Sequence, residues 1–184
     1  MAGLGYAICM NDLALALDGS FHGRGWQGPT LLGSIRGVTP SEAVVVPAKL
    51  KHSIWGLVLH AAYWKYAVCL RVTRAGFEFG SLPLTETGEL FFPRSPSNFP
   101  SPPTKPTGKS WRADVALLKL YHTALVDAAS RLSKRQLDSI PPGGKRWTVR
   151  PMLLGVAAHD AYHCGQIQLI KRLVRRGRGS GGLG

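Results

Sequence analysis

A chain of 184 residues is long enough for one full hydrophobic core and short for two, which argues against a multidomain protein. Apolar residues make up 45 % of it and its mean hydropathy is zero, so a folded soluble domain is expected. The net charge of +13, from 23 Lys and Arg against 10 Asp and Glu, would attract phosphates, acidic metabolites or acidic partners, and says nothing about fold.

Three cysteines, Cys9, Cys69 and Cys164, are odd in number and lack metal or redox spacing. They read as small apolar residues of a reducing compartment, so a cytoplasmic location is expected. Residues 1–20 lack a positively charged start, and Asp12 and Asp18 interrupt the apolar run, so no secretory signal is expected. The stretch 53–70 has Lys65 as its one clearly charged residue, but it is short for a span and carries His60 and Lys65 mid-stretch. A buried helix explains it better than a membrane crossing.

Helical apolar spacing predicts a first helix over residues 4–18, ended by the glycines of 19–29. Within that break, Gly23-Arg-Gly-Trp-Gln-Gly28 satisfies the dinucleotide-loop pattern. It lacks the preceding strand that the mechanism needs and is taken as a chance match. A short helix is expected over 30–36, and Thr39-Pro40 reads as an N-cap with proline at the first helical position. A second long helix is predicted over 53–74, capped by Ser53 and with Arg71 and Arg74 where the helix dipole favours cations.

Residues 76–110 hold seven of the thirteen prolines. Phe77, Phe79, Phe91, Phe92 and Phe99 punctuate them, so an ordered crossover is expected in place of a linker. Trp111, Val115, Leu118, Leu125, Ala129 and Leu132 give an inward stripe to a third helix over 110–132, and a fourth follows over 149–175. The glycine- and arginine-rich residues 176–184 read as a flexible tail to a single domain over 1–175. No strand pattern and no internal repeat is seen. The expected class is all-α: a four-helix bundle with a long proline-rich crossover between its second and third helices.

Each helical residue advances about 100°, so His159 and His163 in His159-Asp-Ala-Tyr-His163 stand about 40° apart on one face, with Val156, Ile167 and Ile170. Two inward imidazoles one turn apart have the separation that lets both bind one metal ion; two hydrogen-bonded core histidines are the alternative. A zincin reading fails, because no His, Asp or Glu follows His163 and the base position holds Asp160. A third ligand must then come from upstream, and His60, mid-helix among apolar neighbours, is the best candidate. His22 and His52 lie at segment edges, and His122 reads as a partly exposed or satisfied histidine. Gln166 shares the face of His163 and is read as either a ligand-binding or a packing amide. Tyr162 and Trp64 read as pocket walls or core. Asp160, about 100° from His159 and off the metal face, reads as either orienting an imidazole or lying at the surface; Asp12 and Asp18 are the other expected inward carboxylates, and no general base or other catalytic residue is assigned.

Ser53-Ile54-Trp55…His60…Trp64, paired with His159-x-x-Tyr162-His163-x-Gly165-Gln166-Ile167, resembles the DinB/YfiT-like metalloprotein superfamily over nearly the whole chain. The resemblance implies a four-helix bundle holding a divalent metal, usually zinc or nickel, on three histidines that match His60, His159 and His163. It also implies dimers and, in some members, transferases or isomerases that use low-molecular-weight thiols. The expected function is therefore a metal-dependent enzyme that activates a thiol or water for transfer or hydrolysis of a small-molecule substrate. The alternative is a helical protein binding nucleic acid or another anionic partner through Lys145, Arg146, Arg150, Lys171, Arg172, Arg175, Arg176 and Arg178. Nucleic acid is the weaker reading, since no recognised module is present and the aromatics do not interleave with the basic residues.

Overall fold

The computed structural model describes residues 11–179 apart from positions 27, 81, 95 and 96. Its elements are α1 (Asp12–Phe21), β1 (Arg24–Gly25), β2 (Gly28–Pro29), α2 (Leu31–Ser34), α3 (Pro40–Ala43), α4 (Ile54–Arg74), α5 (Gly108–Arg131), α6 (Lys134–Leu137) and α7 (Val149–Gly179). Residues 4–10 of the expected first helix, Cys9 and residues 180–184 of the expected tail lie outside the described residues.

The helix starts follow from side chains that satisfy otherwise unpaired N–H groups. Ser53 accepts from Gly56 N at the start of α4. Thr39 and Glu42 form a reciprocal capping box with Pro40 at the first turn of α3, as the sequence predicts. The same device, Thr107 with Ser110, opens α5 two residues before its expected start.

Other boundaries differ, each for a packing reason. α1 continues through Gly19 to Phe21, because Phe21 is fully buried and Ser20 Oγ donates back to Leu17 O. The Gly23–Gly28 stretch forms a two-residue antiparallel hairpin and still lacks a preceding strand, in keeping with a chance motif match. A one-turn helix, α6, is added after α5, capped by Ser133 and Gln136. α7 runs four residues past its expected end at 175. Arg175 on it pairs with Glu42 Oε1 and donates to Gly37 O.

The fold is all-α apart from the short hairpin. Helix α1 packs on α5 and α7, and α4 packs on the same two, so four helices close a ring around one core. Trp55, Leu57, Leu118, Tyr121, Leu153 and Ile167 fill it. The crossover between α4 and α5 is packed and not a free linker: Leu82, Leu90 and Phe92 are buried, and Tyr121 Oη donates to Phe91 O. Among the described residues no helix is long and apolar enough to cross a membrane.

Candidate metal centre

His60 sits in the second turn of α4, and His159 and His163 one turn apart on α7. The packing of α4 on α7 brings the three together, as the sequence predicts. His159 Nε2 lies 3.1 Å from His60 Nε2 and 3.0 Å from His163 Nε2.

The other ring nitrogens fix the tautomers. His60 Nδ1 donates to the backbone carbonyl of Asn98 at 2.5 Å, and His163 Nδ1 donates to Gln166 Oε1 at 2.6 Å. Phe99 stacks on His60, with ring centroids 4.0 Å apart, and His52 stacks on the other side of Phe99. With Nδ1 protonated, His60 and His163 each turn an Nε2 lone pair towards His159 Nε2, which has at most one proton to give to the two. At least one lone pair is therefore left facing another acceptor. This donor set fits a divalent cation, and the outer hydrogen bonds are of the kind that orient metal-binding histidines.

Burial keeps all three imidazoles neutral at pH 7, as metal ligands must be. It pushes His159 down to about 3, assisted by its two histidine neighbours and Lys65. It pushes His163 down to about 4 against the opposing bond to Gln166, and holds His60 below its ordinary value against the bond to Asn98.

Several neighbouring residues are not where the sequence reading puts them. Asp160 is fully buried and not at the surface, and its Oδ2 accepts from Lys65 Nζ, itself fully buried on α4. Among the described residues the buried acids are Asp160, Asp114 and Glu42. Asp12 is exposed, and Asp18 is half-exposed and paired with His22. Asp114 accepts from Trp55 Nε1 and from Arg94. Tyr162 is neither core nor wall: it is 64 % exposed, and its hydroxyl accepts from Gln166 Nε2. Gln166 thus bridges His163 and Tyr162. Trp64 does line a pocket, and its Nε1 donates to Asn98 Oδ1.

Cys164 points away from the histidines, its thiol donating to Pro29 O. Burial raises the pKa of both Cys69 and Cys164.

Asp18, His22 and His122 form a second group with metal-ligand spacing. There, Asp18 Oδ1 and His22 Nδ1 already close an ion pair at 2.6 Å, with His122 Nε2 3.8 Å away. His122 is neither exposed nor satisfied. It is fully buried, stacked on Phe21 at 3.7 Å, and neither ring nitrogen has a hydrogen-bond partner.

A cleft of about 360 Å³ opens between α4 and α7 and reaches His159. A larger hollow of about 670 Å³, lined by residues such as His22, Arg36 and Trp111, does not reach the three histidines. Among known protein families, the one described as the DinB superfamily matches residues 27–167, more than half of the chain. No curated protein and no solved structure matches.

Proposed function

Because the chain belongs to the DinB superfamily, we propose that it is a divalent-metal-dependent enzyme, its ion held by His60, His159 and His163, that activates a thiol or water as a thiol transferase or a hydrolase. The observation that carries this reading is the convergence of three Nε2 atoms with too few protons among them. Zinc or nickel suits an all-imidazole set. When bound, such an ion supplies a Lewis acid that favours the deprotonated form of water or of a thiol near neutral pH.

The chain's own residues provide position and shelter. Asn98 O and Gln166 Oε1 each take an Nδ1 proton and so aim His60 and His163. Phe99 covers one face of His60, and Trp64 stands beside His159 at the mouth of the cleft. The Lys65–Asp160 pair ties α4 to α7 one residue from His159 and holds the helix spacing that the histidines require. Among the described residues no cysteine suits the role, since Cys69 and Cys164 are buried with raised pKa values. A low-molecular-weight thiol therefore serves as co-substrate.

The anionic-partner alternative draws little support, because several of its basic residues are engaged within the fold. Lys171 donates to Ser34 O and Arg36 O, Arg175 pairs with Glu42, and Arg150 with Asp138. The test is turnover by zinc- or nickel-loaded protein with a panel of small thiols and activated electrophiles or esters. Turnover abolished by chelation and by His163→Ala supports the reading; turnover indifferent to both, or none from metal-loaded protein across the panel, contradicts it.

A further inference from the structure

The cleft that reaches His159 has two chemically different ends. α4 and α7 run antiparallel along it, and the eight residues from Trp64 to Arg71 make it on the order of 10 Å long. One end is His159. The other is lined by Arg71 from α4 and by Lys145 from the turn before α7. Among the described residues lining it there is no carboxylate, and Arg71 is held in place by donating Nη1 to Ala67 O.

Two further features single out this end. Lys145 is a non-glycine residue with a left-handed backbone, at φ +56°. Strain of that kind persists where the surrounding structure imposes it, and it clusters at ligand clamps. Here the turn is imposed by close packing, because a Cβ on Gly144 would lie 2.8 Å from Pro141 O and 2.9 Å from Met152 Cε. The walls between the ends are large apolar groups left open to solvent: Trp64 is 37 % and Trp147 is 51 % exposed. Arg146 lies over the Trp147 ring at 4.9 Å. A concave site with aromatic walls and a few converging polar groups is the usual form of a small-molecule site, and the volume falls in the usual range.

We propose that this cleft binds an amphipathic organic acid. Its carboxylate sits between Arg71 and Lys145, its apolar body lies between the two tryptophans, and its far end is presented to His159. Arg71 offers a planar fork to the carboxylate and Lys145 a point charge. The proposal rests on the metal reading above only for what the far end meets.

The test uses the full chain, with binding of 4-phenylbutyrate followed by tryptophan fluorescence and calorimetry. The uncharged 4-phenylbutanol serves as the comparison, and both are measured on zinc-loaded and chelator-treated protein. The acid is expected to bind about tenfold tighter than the alcohol. Lys145→Gly and Arg71→Gln are each expected to remove most of that preference and to leave alcohol binding unchanged. Glycine adopts the left-handed backbone freely, so Lys145→Gly keeps the turn while deleting the ammonium. The same pattern in chelated protein upholds the proposal even if zinc itself fails to bind, in which case the metal reading alone falls. Acid bound no tighter than alcohol, or acid affinity unchanged in both variants, overturns the proposal.

Discussion

Lys65 Nζ lies 2.5 Å from Asp160 Oδ2, and the two side chains are 1 % and 0 % exposed. The pair joins α4 to α7 directly behind the histidines, and Asp160 Oδ1 has no partner at all. Removing one member leaves an uncompensated buried charge, which typically costs about 3–5 kcal/mol, whereas replacing both with apolar groups is often neutral. Lys65→Met and Asp160→Leu are each expected to lower unfolding free energy by about that amount, and the double variant to recover most of it. Urea denaturation checks this. Single variants within about 1 kcal/mol of wild type would show that the pair contributes nothing.

His122 gives the opposite expectation. Two buried ring nitrogens without partners destabilise the fold, so His122→Leu is expected to stabilise it by about 1–3 kcal/mol at pH 7. The pH dependence follows from the same burial, which pushes the folded-state pKa down to about 2. Below about pH 6.5 the unfolded chain takes up a proton that the folded chain refuses, so stability falls by about 1.4 kcal/mol per pH unit on the way down. His159 and His163, pushed to about 3 and 4, act in the same direction in metal-free protein. Urea midpoints at pH 7 and pH 5 should lie closer together in His122→Leu than in wild type. An unchanged gap would refute the assignment.

Two glycines should respond in opposite ways to alanine. A Cβ at Gly165, on the exposed side of α7, meets nothing within 4 Å, so Gly165→Ala should stabilise by about 0.5–1 kcal/mol. At Gly144 the nearest atom to a Cβ is a backbone oxygen at 2.8 Å, so Gly144→Ala should destabilise by about 1–3 kcal/mol. Thermal melting of the two variants separates them by sign.

Gln166 acts through His163 and not on substrate. Gln166→Leu removes the acceptor that orients His163 Nδ1 and is expected to weaken zinc binding about 10–100-fold. Gln166→Glu retains an acceptor and should restore binding. Zinc affinity by competition with a chelating dye is the measurement; equal affinity in Gln166→Leu and wild type would remove Gln166 from the site.

The histidines were legible because their chemistry is periodic. His159 and His163 fall one turn apart on an inward face, and His60 is an ionisable group in an apolar run. Helix starts were legible where a side chain makes the cap, as at Ser53 and Thr39. What closes the site over His60 was not legible: the acceptor is the backbone carbonyl of Asn98, and a carbonyl carries no residue signature. The Lys65–Asp160 pair did leave a signal, since Lys65 stands alone in an apolar stretch and Asp160 is the one acid of α7. Neither helix alone shows the match, because the two residues stand 95 positions apart in the chain. Asp18 was expected inward, but the extension of α1 to Phe21 buries the phenyl ring and Asp18 closes on half-exposed His22. His122 defied the rule that buried polar groups find partners, which no sequence pattern announces.

The central claim is that three imidazoles converge to hold one divalent ion. Zinc titration of metal-free protein, with single alanine substitutions of His60, His159 and His163, tests it most directly. One zinc per chain in wild type, with affinity falling at least about 100-fold in each variant, is the predicted result. No stoichiometric zinc in wild type, or affinity undiminished when any of the three is removed, would contradict it.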